Sequence, residues 1–273
     1  MNGNIIELPG IKNARELGGY TAGDRTVKRG LLIRSGAICN AEPEALAILA
    51  DDYHVQAIID FRMNHVMEGT PDPEVPGAVN TRLPVAELED YISWVGKPVD
   101  AGQFTSAGIE KSVMFDMAYE LGIFSPAIYD LFITGERGIA AYRGFFRILL
   151  DSDPDNGAVL WHCVGGKDRA GLASMLLLTA LGADRDTIMR DYLLTNECNA
   201  AKLGVTRKNC EDAHMPPEKM EARIFVSGGV FEKYLTHAIS TLENKYGSVN
   251  GYLREGLGLT DGDIGLLREK YTE

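Results

Sequence analysis

One segment restricts the possible folds more than any other: Trp161-His-Cys163-Val-Gly165-Gly166-Lys167-Asp168-Arg169-Ala170-Gly171. The apolar run before it, Ala158-Val-Leu-Trp-His162, has the look of a buried strand. The apolar stretch after it, residues 170–182, reads as a helix that stops near Gly182. A strand, a tight glycine-containing loop and a helix are the building unit of α/β folds. The expected architecture is therefore α/β, with a mostly parallel central sheet flanked by helices.

Other segments supply the remaining layers. Residues 31–35, Val55–Asp60 and 78–83 read as further short strands. Helices are expected over 42–51, with Pro43 in the first turn where its missing N–H costs little, and over 137–150, 229–246 and 260–270. Asp184 or Asp186 is the expected cap of another helix, which runs to about Leu194. Residues 87–135 mix Gly, Pro and charge with scattered aromatics: Tyr91, Trp94, Phe104, Phe115, Tyr119 and Phe124. They read as a helical insertion or lid over one end of the sheet, within a single domain spanning 1–273. The plainer alternative is a helical subdomain that packs those aromatics into the core.

The chemistry of the loop follows from its residues. Five residues separate Cys163 from Arg169, and two are glycines. Glycine lets successive N–H groups turn inward, and the following helix adds free N–H groups and a positive dipole end. Val164, Gly165, Gly166, Lys167, Asp168 and Arg169 are thus the expected phosphate-binding residues. Arg169 supplies a planar fork for two oxygens, and Lys167 a point charge. The same positive surroundings favour a thiolate on Cys163, which can attack phosphorus and form a phosphocysteine. A buried structural cysteine is the bland alternative, but it leaves the convergence of Gly, Lys, Asp and Arg unexplained. A nucleotide-binding loop of the Walker type would need a glycine at 161 and Ser or Thr at 168, where this chain has Trp161 and Asp168.

Composition sets limits on partners. There are 27 Lys and Arg against 39 Asp and Glu, a net charge of −12. That argues against non-specific binding to nucleic acid or anionic membranes, though not against a small anionic substrate. Cys39, Cys163, Cys198 and Cys210 form no Cys-x-x-Cys pair, and no tight Cys/His set suggests a metal. Cys39, Cys198 and Cys210 read as unreactive thiols in a reducing compartment. No basic region followed by an apolar run opens the chain, so the expected location is the cytoplasm, with export by another route left open.

The signature His162-Cys163-x-x-Gly-Lys-Asp-Arg-x-Gly171 resembles that of the protein tyrosine phosphatase superfamily, and in particular its bacterial tyrosine/serine phosphatase group. Asn13-x-Arg15-Glu16-Leu-Gly-Gly-Tyr20, Arg29-Gly-Leu-Leu-Ile-Arg34-Ser35-Gly36, Ile59-Asp60-Phe-Arg62, Asp191-Tyr192-Leu-Leu-x-Asn196 and Tyr246-Gly-Ser-x-x-Gly-Tyr-Leu-Arg254 extend the similarity along nearly the whole chain. The resemblance implies the tyrosine-phosphatase fold, no metal or other cofactor, and hydrolysis of phosphotyrosine, often with phosphoserine/threonine or phosphoinositides. Lys167 is similar to a lysine of lipid-directed relatives. The resemblance also places the general acid at Asp168, with Glu87 a second candidate after Leu83-Pro84. Arg15, Arg34, Asp60 and Arg62 are expected to be structural ion-pairing residues, and His162 to fix the loop by hydrogen bonding.

The chain departs from the pattern in having Ala170 where a Thr or Ser hydroxyl is usual, Ala14 for Phe and Glu16 for Asp. Loss of the hydroxyl predicts a less stabilised thiolate and slower breakdown of the phosphocysteine. The alternative function is a phosphate-binding pseudophosphatase module with little turnover. A sulfurtransferase or an arsenate reductase could also use a cysteine in an anion loop, but neither explains the matches outside it.

Overall fold

Four of the expected strands form the parallel part of the central sheet in the computed structural model, which describes residues 4–96 and 111–273. The strands among these residues are β1 (Arg15–Glu16), β2 (Thr21–Ala22), β3 (Arg25–Thr26), β4 (Leu32–Ser35), β5 (Ala57–Asp60), β6 (Val79–Arg82) and β7 (Val159–His162). The main sheet has the order β1-β4-β7-β5-β6, and β2 and β3 make a separate hairpin. β7 lies at the centre, parallel to both β4 and β5, while β6 is parallel to β5 and β1 is the antiparallel edge.

Side chains alternate across the pleat, and the strands use both faces. Leu32, Ala57, Ile59, Val159 and Trp161 enter the larger core, under helices Glu136–Asp151, Arg169–Leu181 and Glu232–Tyr246. Ile33, Ile58 and Leu160 point into a smaller core closed by Ala45, Leu49, Val75 and the N-terminal residues Leu8 and Ile11. Such burial on both faces is why the strands read as continuous apolar runs.

Helix Arg169–Leu181 is buried on nearly every side, Leu172, Leu176, Leu177 and Leu178 being fully inaccessible. Each such leucine stabilises by roughly 1.5–3 kcal/mol, so the start of this helix is held in place by its core. Trp161 ties strand to helix: its Nε1 donates to Ala170 O and Ser174 Oγ, both at 3.2 Å. The register sets Ser35 and Asp60 beside His162. The residues that follow all three strands therefore meet outside their carboxyl ends, where ligand sites of open α/β sheets form.

Some expectations are modified. The helix expected over 42–51 begins at Pro43 and widens to a π-turn over Ile48–Asp52. Asp184, not Asp186, caps helix Arg185–Cys198 by accepting from Thr187 N at 2.7 Å. Helices Ala200–Asp212 and Pro217–Val226 bury few side chains, so the sequence carries little periodic signal for them. Within 87–135, residues 97–110 with Phe104 lie outside the described residues. Helix Ile128–Thr134 contributes Ile128, Tyr129, Leu131, Phe132 and Ile133 to the main core, so that part behaves as the plainer alternative has it. Phe115 stacks on Phe124 and Tyr119, with the Arg223 guanidinium 3.6 Å from its ring centre.

Candidate active site

The loop after β7 is shaped by where its carbonyls are held. Val164 O accepts from Ala37 N at 3.1 Å, and Gly165 O from Asn13 Nδ2 at 2.9 Å. Arg34 Nη2 donates to Gly166 O at 2.7 Å and to Lys167 O at 3.3 Å. Four successive carbonyls thus turn toward outside partners. Among the described residues the N–H groups of Val164 to Asp168 have no acceptor. No side chain caps helix Arg169–Leu181 either. Unused N–H groups beside a helix N-terminus make an anion cradle.

Gly166 is the residue that permits the bend. Its φ is +65°, and a Cβ there would meet Ser35 C and O at 2.4 Å. At Gly165 the nearest neighbour of a Cβ is Lys167 Cγ at 3.5 Å, an ordinary contact. Gly166→Ala should therefore cost about 1–3 kcal/mol in backbone strain and distort the cradle. A lowered melting midpoint together with weakened inorganic phosphate binding checks this, with Gly165→Ala as the variant that leaves the midpoint nearly unchanged.

Behind the loop, Asp191 binds two arginines. Arg15 Nε donates to Asp191 Oδ1 at 2.9 Å, Arg34 Nη1 donates to Asp191 Oδ2, and all three side chains are buried. Arg15 also donates to Asn13 Oδ1 at 2.5 Å, and Asn13 holds the loop at Gly165. Burial works against the Asp191 charge, but Arg15 and Arg34 hold its carboxyl below the usual range. For Arg34, burial and the nearby Arg15 lower the pKa despite Asp191. Arg15 and Arg34 both pair with Asp191, and Arg34 alone also holds the loop carbonyls of Gly166 and Lys167. Asp191 belongs to one of the quoted motifs, but its spacing gives no sign that it is the shared counter-ion.

Cys163 is 1 % exposed. Arg169 is buried, with Nη1 donating to Phe61 O at 3.3 Å. Burial disfavours the Arg169 charge, yet Cys163, Tyr91 and Asp168 raise its pKa above the ordinary value. Lys167 Nζ donates to Phe225 O at 2.7 Å and sits 3.3 Å from the Phe225 ring centre. Burial lowers its pKa, partly opposed by Asp168, whose Oδ2 is 3.5 Å away. In this conformation the ammonium is engaged by the Phe225–Gly229 turn.

The two candidate acids differ in surroundings. Asp168 lines the cleft and accepts from Tyr129 OH at 2.6 Å, with Tyr192 OH 2.9 Å behind. Burial, then Asp168 and Tyr192, raise the Tyr129 pKa well above its ordinary value, so this phenol keeps its proton. Glu87 is instead a helix cap. It forms a capping box with Asp90 at the start of Leu88–Val95, and its Oε1 accepts from Asn64 N at 2.9 Å. Glu87 is not among the residues lining the cleft.

Asp60 and Arg62 form a buried ion pair (Nη2–Oδ2, 2.7 Å), and Arg62 also reaches Asp72 Oδ1 at 2.9 Å. Burial opposes the Asp60 charge, but bonds from Arg62 and the nearby His162 hold its carboxyl below the usual range. His162 Nε2 lies 3.0 Å from Asp72 Oδ2 without hydrogen-bond geometry, and its Nδ1 is 3.4 Å from Cys163 O. Asp60, Asp72 and His162 bring potential metal-ligand atoms within 4.8 Å of one another, but the Arg62 guanidinium already pairs with both carboxylates.

The cleft over the loop has a volume of about 540 Å³. Arg62, Lys167, Asp168 and Arg169 line it, with Val164 and Val226 as exposed apolar groups (53 % and 47 %). A mostly parallel sheet whose central strand leads into a loop of unused N–H groups between Cys163 and Arg169 is an arrangement that can hold an anion. The profile of the tyrosine phosphatase family matches residues 6–273, and the chain belongs to that family. It is a phosphatase. A Cupriavidus necator chain that carries a tyrosine-protein phosphatase name is 30% identical over 263 residues, 96% of this chain and 86% of that one. The triple specificity protein phosphatase PtpB of Mycobacterium tuberculosis is 35% identical over 281 residues, 97% of this chain and 98% of its own length. Among the described residues, no helix is long and apolar enough to cross a membrane.

Proposed function

We propose that this phosphatase hydrolyses phosphate monoesters through a phosphocysteine on Cys163, with phosphotyrosine as its preferred substrate. The observation that carries this reading is the cradle: outward-held carbonyls, unused N–H groups and a buried cysteine and arginine at its two ends. In the first step the Cys163 sulfur attacks phosphorus, the S–P bond forms and the ester P–O bond breaks. Arg169 and the loop N–H groups hold the equatorial oxygens as charge shifts. Asp168 protonates the leaving oxygen. In the second step Asp168 takes a proton from water, the water oxygen bonds phosphorus, and the S–P bond breaks to release inorganic phosphate. Asp168 Oδ1 accepts from Tyr129, and Oδ2 lies 3.5 Å from Lys167 Nζ. Helix Leu88–Val95 serves as the lid, its Tyr91 near enough to influence the Arg169 charge.

Two features favour an aryl ester. Cys163 is buried, so the phosphoryl group must reach in deeply, and phosphotyrosine reaches further than phosphoserine. Val164 and Val226 offer apolar surface to a ring at the cleft. PtpB's name records broader specificity, which makes phosphoserine/threonine peptides and phosphoinositides the secondary substrates to test. The described cysteines are all free, which suits a reducing, cytoplasmic setting.

The test is phosphate release, without added metal, from a phosphotyrosine peptide, a phosphoserine peptide and a phosphoinositide. The phosphotyrosine peptide should be fastest; a faster phosphoinositide would overturn the preference. Asp168→Asn should lower kcat by roughly 10²–10⁴-fold on the peptides and less on an activated aryl phosphate. Glu87→Gln should leave kcat on the peptides near that of wild type. The reverse pattern would move the acid to Glu87.

A further inference from the structure

A second cavity, of about 530 Å³, adjoins the catalytic cleft, and the two share Lys12, Asn199 and Lys202 in their linings. Its walls are mostly apolar, including Ile5, Ile6, Pro9 and Ala201, with Glu7 as an acidic member. Lys12 and Lys202 come from opposite parts of the chain: the loop before β1 and helix Ala200–Asp212. Both are exposed. Neither ammonium has a hydrogen-bond or ion-pair partner among the described residues, whereas Lys219, Lys233 and Lys270 each have one. On a chain of net charge −12, two unneutralised cations at the junction of two cavities make a local positive spot.

We propose that Lys12 and Lys202 form an anion subsite for an acidic or phosphorylated side chain of a peptide, flanking the residue that enters the cradle. The inference rests on the phosphatase reading and adds its substrate class: phosphopeptides with acidic neighbours. A peptide is favoured over a lipid: an extended peptide can lay apolar side chains along Ile5, Ile6 and Pro9, while the net charge of −12 works against docking on an anionic bilayer. Neither lysine touches the cradle, so a small substrate that fills only the cradle should not sense them.

The experiment compares kcat/KM for three matched phosphotyrosine peptides, with acidic, neutral or basic flanks, for p-nitrophenyl phosphate and for a soluble inositol bisphosphate. The proteins are wild type and Lys12→Ala/Lys202→Ala. Wild type should prefer the acidic peptide to the neutral one by about tenfold, as expected for two rim charges, and the preference should fade with salt. The double variant should lose the preference, mainly through KM, and keep p-nitrophenyl phosphate turnover. No flank preference in wild type would overturn the subsite. So would an equal loss on p-nitrophenyl phosphate. A loss confined to a soluble inositol bisphosphate would overturn the peptide assignment in favour of a headgroup. The same peptides are titrated against Cys163→Ser protein and its triple variant with both lysine substitutions. If wild type turns over nothing, the phosphatase mechanism fails, and the difference in Kd between acidic and neutral peptides still decides the subsite.

Discussion

Cys163→Ser is expected to abolish phosphate release from a phosphotyrosine peptide while leaving phosphopeptide binding in place. The expected loss is on the order of 10⁴-fold or more, the scale on which removing a covalent nucleophile registers in other enzymes. The reason lies in the division of labour within the loop. In the proposed mechanism binding rests on the N–H groups of residues 164–168 and on Arg169, none of which changes in the variant. Bond-making rests on a sulfur that ionises far more readily than a serine hydroxyl. Single-turnover phosphate release and peptide titration on the same preparation separate the two. Substantial turnover by the variant would remove the phosphocysteine from the mechanism. Loss of binding as well would show that the sulfur shapes the cradle. Ala170 bears on the second step: it is fully buried and has no hydroxyl to support the thiolate. A burst of leaving group in wild type, followed by slow steady release, would mark slow breakdown of the phosphocysteine.

The second large effect concerns stability. Asp191→Asn should destabilise the protein by about 3–5 kcal/mol at neutral pH, because it leaves two buried guanidiniums without their counter-charge. Against a typical total of roughly 5–15 kcal/mol this is a large fraction, and the melting midpoint should fall by on the order of 10 °C. The pH dependence has a definite sign. The folded pKa of Asp191 is depressed by Arg15 and Arg34. Its contribution is therefore fully present above the unfolded value of about 3.9 and is lost as pH falls through the folded value. The gap between wild type and variant should be wide at pH 7 and narrow in strong acid. Equal midpoints at pH 7 would show that the cluster does not hold the fold. Since Arg34 carries the carbonyls of Gly166 and Lys167, phosphate binding should weaken along with stability.

What the sequence determined by itself is local. Buried parallel strands announce themselves as continuous apolar runs, and so β4, β5 and β7 were legible within a residue or two, whereas β6 (Val-Asn-Thr-Arg) is a mostly exposed edge strand without that signal. The same holds for helix Arg169–Leu181, whose apolar content admits little else. The Cys163–Arg169 spacing was legible because an anion cradle needs its glycine, cation and nucleophile within one turn of chain. Side-chain partnerships were not legible. Asp191 meets Arg15 and Arg34 across separations of 176 and 157 residues, and Tyr129 meets Asp168 across 39. Glu87 looks like any solvated acid in an acidic run until helix Leu88–Val95 and the backbone of Asn64 are placed beside it. Lys167 reads as a phosphate ligand, and only the fold shows that Phe225 of a distant helix packs against its ammonium. Backbone preference and apolar periodicity act between near neighbours and are written in order along the chain. The choice of which charge meets which is made by packing, after distant elements have been brought together and water has been excluded from between them.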